Sequence, residues 1–217
     1  MITARSLPLF PLQTVLFPKG TLPLQIFEER YRLMLEHCLN ADSKFGVVLI
    51  KRGLEVGGPA STYNIGTVAQ IVQVSPVKEG RIFISVYGLE RFEISGVTQV
   101  EPYMEAQVEG LPELEDDSPM PPERVLSIRQ AATQHLRLSL GMRAGWTRDV
   151  TLPIELDDLS YYLASVIQAP TQIKQELLEQ SSTSRRLELE AQWMDSTNGP
   201  LKAQVAQRLL YKRFGRQ

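Results

Sequence analysis

An α+β fold, in which a β-rich N-terminal half closes or nearly closes into a barrel and a helical half follows, is what this sequence predicts from three features. Up to about residue 110, short apolar stretches rich in β-branched residues are punctuated by Gly and Pro. The segment LPELEDDSPMPP at 111–122 is acidic, proline-rich and without periodicity. Beyond it, apolar residues recur at three- and four-residue steps. The expected domains are therefore 1–118, a β-barrel domain, and 119–217, a helical domain whose basic last helix starts at about 200.

Each element has its own signal. Leu9, Phe10, Leu12, Leu16, Phe17, Leu22 and Leu24 supply core and edge burial at the N-terminus. After Phe27, the series Phe27, Tyr31, Met34, Leu35, Cys38 and Leu39 predicts an amphipathic helix, stopped by Asn40, Asp42 and Ser43. FGVVLI at 45–50 is a strand, and LEVGGPAS behind it a loop. IGTVAQIVQV at 65–74 and RIFISVYG at 81–88 form an antiparallel pair across Lys78, Glu79 and Gly80. In the second of these, Ile82, Ile84 and Val86 share one face, and Arg81, Phe83, Ser85 and Tyr87 the other. RFEI at 91–94 and YMEAQVEG at 103–110 continue the alternation, the latter half exposed. So many short strands favour closure, which removes sticky edges.

The helical half opens on the stripe Val125, Ile128, Ala132, Leu136 and Leu140, ending near Gly141. A second stripe comprises Leu159, Tyr162, Leu163, Val166 and Ile167, with Pro170 forcing its end. Ile173, Leu177 and Leu178 mark another helix, and Leu187, Ala191 and Met194 another after the capping cluster Ser181–Ser184. Asn198, Gly199 and Pro200 then break the chain before a last helix with Leu201, Val205, Leu209 and Leu210. The expectation is a small bundle.

Composition limits what such a chain can do. Hydrophobic residues at 43% and charged ones at 22% are those of a folded protein. A lone cysteine cannot form an internal disulfide, no stretch reaches membrane-span length, and Pro8 and Pro11 interrupt any leader, so a cytoplasmic location without membrane contact is expected. A net charge of −2 gives no global attraction for polyphosphate, which makes nucleic acid a poor candidate partner. Charge is nonetheless segregated: 101–123 holds eight carboxylates and no Lys or Arg, and 201–217 holds five basic residues and no acid, so any RNA binding would sit on the tail.

Taken together, LPLFPLQTVLFPKGTLPLQIFEERY at 7–31, YNIGTVAQIVQV, GRIFISVYGLERFEI and IKQELLEQSSTSRRLELE at 173–190 resemble the Lon protease N-terminal domain family. The ordered set Pro11, Pro18, Gly20, Phe27, Glu28, Arg30, Tyr31, Gly66, Gly80, Gly88, Arg91 and Phe92 carries the resemblance, which extends to about Met194. It implies a PUA-like β-barrel, of the pseudouridine-synthase-and-archaeosine-transglycosylase type, followed by helices. In full-length Lon such a domain engages protein substrates and supports assembly. No G-x-x-x-x-G-K-[ST] phosphate loop occurs, and nothing after the helices could hold an ATPase or a Ser-Lys protease. The expectation is a non-enzymatic, ATP-independent module for unfolded or apolar polypeptide segments, an adaptor or regulator of proteolysis, with an RNA-binding PUA-like module as the alternative. Its oligomeric state is left open.

No catalytic, metal or cofactor residue emerges. His37 and His135 lie on different helices without zinc-ligand spacing, and Cys38 beside His37 points about 100° away from it on a helix. Cys38 reads as a buried structural residue, and the acidic segment as a charged spacer. Candidate binding residues are Phe17, Pro18, Phe27, Tyr31 and Tyr87, with Phe17 beside the Pro18 turn foremost. Glu28 and Arg91, each next to an aromatic, are expected to form a structural ion pair fixing the helix to the barrel.

Overall fold

Strands form where β-branched and aromatic residues alternate, and helices where the apolar period lengthens. A computed structural model of the chain describes residues 5–54, 61–76, 81–115, 119–143 and 150–214. In chain order the elements are β1 (Arg5–Leu12), β2 (Thr21–Ile26), α1 (Glu29–Asn40), β3 (Lys44–Arg52), β4 (Ser61–Pro76), β5 (Ile82–Gln99), β6 (Met104–Gly110), α2 (Pro122–Arg143), α3 (Leu156–Val166), α4 (Thr171–Glu179) and α5 (Thr183–Phe214). They fall into two compact units: Met1–Glu113 with Pro170–Ser181, and Leu114–Ala169 with Ser182–Gln217.

The first unit is a six-stranded sheet in the order β2-β5-β4-β3-β1-β6, with β6 also pairing with β5. Five strands thus follow one another round, while β2 hangs on β5 alone, so the closed or nearly closed barrel expected takes the form of a six-stranded sheet that is not a clean barrel. The β1–β3 ladder is parallel and the others are antiparallel. The expected β4–β5 pairing is present, with Ser75 opposite Phe83, and its turn at Lys78–Gly80 lies outside the described residues, as do 55–60 of the LEVGGPAS loop. RIFISVYG and RFEI are one continuous strand, β5, which changes partners along its length from β2 to β6.

Two apolar clusters sit on opposite faces of β1. Phe10 and Leu12 join Tyr31, Met34, Leu35 and Cys38 of α1 with Phe45, Val47, Ile84 and Val86. Leu7 and Leu9 join Val48, Val68, Phe92, Ala106 and Val108. A strand buried on both sides must be apolar throughout, which is why the first residues of the sequence read as a continuous apolar run.

α4 belongs to this unit, although the sequence placed it in a helical bundle. Buried Arg91 of β5 donates to the carbonyls of Leu178 (2.9 Å) and Gln180 (2.8 Å) at the end of α4, and to Pro112 O (3.1 Å). A cation at a helix C-terminus meets carbonyls that have no partner inside the helix and the negative end of the dipole. Gln175 adds a bond from its side-chain amide to Ile65 O on β4, at 3.0 Å.

In the second unit α2 and α5 run side by side in the same direction: Arg124 bonds Glu188 through both guanidinium arms, His135 meets Asn198, and Arg208 reaches Met142 O. Arg186 and Glu190, one turn apart on α5, are fully buried. The Arg186 guanidinium bonds Ser160 Oγ (2.5 Å) and Thr183 Oγ1 (3.2 Å) and stacks over the Tyr161 ring at 4.1 Å, tying α3 to α5. Burial pushes the Glu190 carboxyl well above the usual carboxylate range, while Arg186 pulls the other way.

The break expected at Asn198, Gly199 and Pro200 does not occur, since α5 passes through Pro200 unbroken. Proline removes one backbone bond, but neighbouring contacts hold this turn: the Thr197 hydroxyl bonds Trp193 O at 2.8 Å, and Asn198 is fixed to α2 by His135 at 2.9 Å. Burial holds the His135 imidazole below its ordinary value of 6.5, with the Asn198 bond opposing. The unfolded chain therefore takes up a proton first as pH falls below about 6.5, and the folded unit loses stability through that window. Urea midpoints at pH 7.5 and 5.5 should differ less in His135→Gln than in the unaltered chain; equal differences would refute this assignment.

Candidate binding surface

Pro18 and Gly20 make a tight turn, with Gly20 N–H donating to Phe17 O at 3.1 Å and Lys19 in the left-handed region at φ 63°. The turn is laid onto β5: Lys19 N–H donates to Gly88 O and Gly88 N–H to Gly20 O, both at 2.8 Å. A Cβ on Gly88 would stand 2.2 Å from Phe17 O, so glycine is what allows this approach. The consequence corrects the leading candidate: Phe17 is 1% exposed, Pro18 is buried, and neither offers a surface to a ligand.

Tyr31 is buried as well, its ring 4.1 Å from that of Phe10 and under the Arg30 guanidinium at 4.5 Å. Phe27, 48% exposed, and half-buried Tyr87 remain open. The expected Glu28–Arg91 pair is replaced by two others, Glu28 with Arg30 at 3.0 Å and Arg91 with Glu113 at 2.9 Å. Register explains it. Ile26, two residues before Glu28, stands opposite Ile82, the first residue of β5, whereas Arg91 lies midway along that strand.

Tyr87 belongs to a face. Thr21, Pro23 and Gln25 of β2 lie opposite Tyr87, Ser85 and Phe83 of β5, which in turn lie opposite Gln70, Gln73 and Ser75 of β4. Directly opposed residues project to the same side, and the alternate positions Leu22, Leu24, Ile82, Ile84 and Val86 go to the core. On the outer side Phe83 is 43% exposed, and Val72, at the bulge in β4 between Ile71 and Gln73, is exposed as well. Thr21–Ile26, 69–75 and 82–88 contain no Asp, Glu, Lys, Arg or His. The result is a continuous neutral surface of aromatic rings, a proline and amide or hydroxyl side chains. Phe83 was not among the candidates, although the alternation of β5 had already put it beside Tyr87.

Cys38 and His37 do not form a reactive pair. Burial, then the Asp42 charge, pushes the Cys38 thiol up to about 12, and His37 Nδ1 instead meets the Tyr103 hydroxyl at 2.6 Å. A thiol held neutral is neither nucleophile nor metal ligand. Among the described residues no three His, Cys, Asp or Glu side chains come together as a metal-binding set, and no helix is long and apolar enough to cross a membrane.

Comparison with known proteins agrees with this architecture. Residues 6–196 match the family model of the ATP-dependent protease La (LON) substrate-binding domain. The chain is 29% identical over 192 residues to a Lon protease of Anaeromyxobacter dehalogenans, covering 84% of this chain and 22% of that protein, and 31% identical over 199 residues to one of Koribacter versatilis, covering 85% and 23%. It thus spans about a quarter of the length of the Lon proteases it matches. A crystal structure of a Lon N-terminal domain protein from Xanthomonas campestris superposes with a TM-score of 0.67 at 26% identity, over 88% of this chain and 99% of that one. The N-terminal domain of the Mycobacterium avium complex Lon protease shares the fold, with a TM-score of 0.63 at 18% identity over 88% and 98%. By its sequence match, its fold and the extent of both, the chain belongs to the Lon substrate-binding domain family.

Proposed function

We propose that this chain is a non-catalytic protein-binding module of the cytoplasm that takes apolar, uncharged stretches of unfolded polypeptide on the outer face of β2, β5 and β4, as an adaptor or regulator of proteolysis. The observation that carries the reading is Phe83, an aromatic side chain left open in the middle of a neutral sheet face in a member of a substrate-binding family. Aromatic anchors with little charge around them are what binding cores are made of. Recognition here needs only apolar contact and hydrogen bonds from Gln, Ser and Tyr side chains.

Fluorescence anisotropy with a labelled, permanently unfolded protein such as reduced, carboxymethylated lactalbumin tests the reading. Phe83→Ser should weaken binding by about tenfold, the effect of losing one anchor worth roughly 1.4 kcal/mol. Its melting temperature should stay near that of the unaltered chain, because the ring is not part of the core. Affinity should change little between 50 and 300 mM salt, whereas phosphate contacts to RNA would make it fall steeply. No binding at tens of micromolar, or equal binding by Phe83→Ser, would remove the proposal.

A further inference from the structure

We infer that Pro23 decides how a polypeptide is held on this surface: side chains dock on the face of the sheet, and no strand is added to its edge. The inference rests on the functional reading above. β2 is the end strand of the sheet, laddered to β5 alone, and an end strand presents unpaired backbone groups that invite strand addition. In an antiparallel ladder, residues alternate between bonding the neighbour and pointing away from it. The bond from Gly88 N–H to Gly20 O at 2.8 Å fixes the phase. Leu22 and Leu24 turn their backbone groups to β5, and Thr21, Pro23 and Gln25 turn theirs to the open side. The middle one of these three has no N–H, and its ring stands where an added strand would bring a carbonyl.

A second open stretch, on β4, also ends at a proline. Among the described residues, the β3 partners of β4 end with Lys44 opposite Gln70, after which Ile71 N–H still reaches Ser43 O. The run from Val72 is laddered to β5 alone and closes on Pro76. Among the described residues the end strand β2 is thus interrupted by Pro23 and the free stretch of β4 ends at Pro76, while the face between them is aromatic, neutral and open. An uncharged apolar segment fits such a face, because no ionic group there would be stripped of water without a partner.

Replacing peptide amides by esters separates the two modes, since an ester removes an N–H and leaves the side chains in place. A fluorescein-labelled peptide of about twelve residues, alternating Leu or Phe with Ser, spans roughly 40 Å when extended. It would be compared with two versions carrying esters at alternate positions, one in each phase. Face docking predicts dissociation constants within about twofold of one another for all three peptides, and a loss of about tenfold or more in one phase would overturn it. Pro23→Thr restores the missing donor on an exposed position. That variant, melting like the unaltered chain, should bind the all-amide peptide about fivefold tighter, a gain that one ester phase abolishes. Unchanged affinity in Pro23→Thr overturns the role of Pro23. If none of the three peptides binds the unaltered chain, the functional reading fails and the inference with it, a pattern distinct from loss in a single phase.

Discussion

Arg91→Met is expected to release α4 and to lower the stability of the sheet unit by about 3–5 kcal/mol, the cost of removing one partner from a buried charged cluster. The guanidinium is 2% exposed and collects the carbonyls of Leu178, Gln180 and Pro112 together with the Glu113 carboxylate at 2.9 Å. Methionine fills much of the volume and satisfies none of these acceptors, so each is left short of a donor inside the protein. Arg91→Lys should recover only part of the loss, because a single ammonium cannot span three carbonyls set around a planar fork. Two measurements check this: the urea midpoint, and hydrogen exchange at 171–181, which should speed up in Arg91→Met far more than exchange in β1 or β3. If α4 keeps its protection and the midpoint does not move, Arg91 is not what holds the helix.

That contact also shows where reading the sequence reaches its limit. The alternation of β5 put Phe83, Ser85 and Tyr87 on one side, and the period of α1 gave its buried residues Tyr31, Met34, Leu35 and Cys38, because both follow from neighbours a few positions apart. The Lon family itself was legible from the ordered set of prolines, glycines and aromatics. What could not be read are relations between distant segments. Phe17 beside a Pro-Gly turn looks like a surface aromatic until Gly88, far along the chain, proves to carry the turn against β5. Glu28 and Arg91 look like partners until the β2–β5 register brings the chain before Glu28 to Ile82, at the start of β5, while Arg91 sits midway along that strand. A helix stripe counted from apolar residues also passes over Arg186 and Glu190, which are fully buried although charged, Arg186 being held by Ser160 and the Tyr161 ring of α3.

The packing of Phe92 is the second place where a single substitution should cost most, about 3–5 kcal/mol for Phe92→Ala. Its ring lies 1% exposed across two strands at Gly46 and Gly66, and a Cβ on either glycine would meet Phe92 Cζ at 2.7 or 2.8 Å. The two glycines differ in what else they would strike. At Gly46 the other close neighbour is the Leu9 side chain, at 2.6 Å, whereas at Gly66 the closest is the backbone oxygen of Val47, at 2.5 Å, with the Val48 side chain at 2.7 Å. Side chains can give way and a laddered backbone cannot, so the two sites should couple differently to the ring. Gly46→Ala and Gly66→Ala should each destabilise by about 1–3 kcal/mol in the presence of Phe92. In a Phe92→Leu background the cost of Gly46→Ala should fall by roughly 1 kcal/mol, while that of Gly66→Ala should persist. Denaturant midpoints of the two double-mutant cycles measure this directly, and equal coupling at both glycines would show that the Phe92 ring, and not the Val47 carbonyl, sets the limit at Gly66.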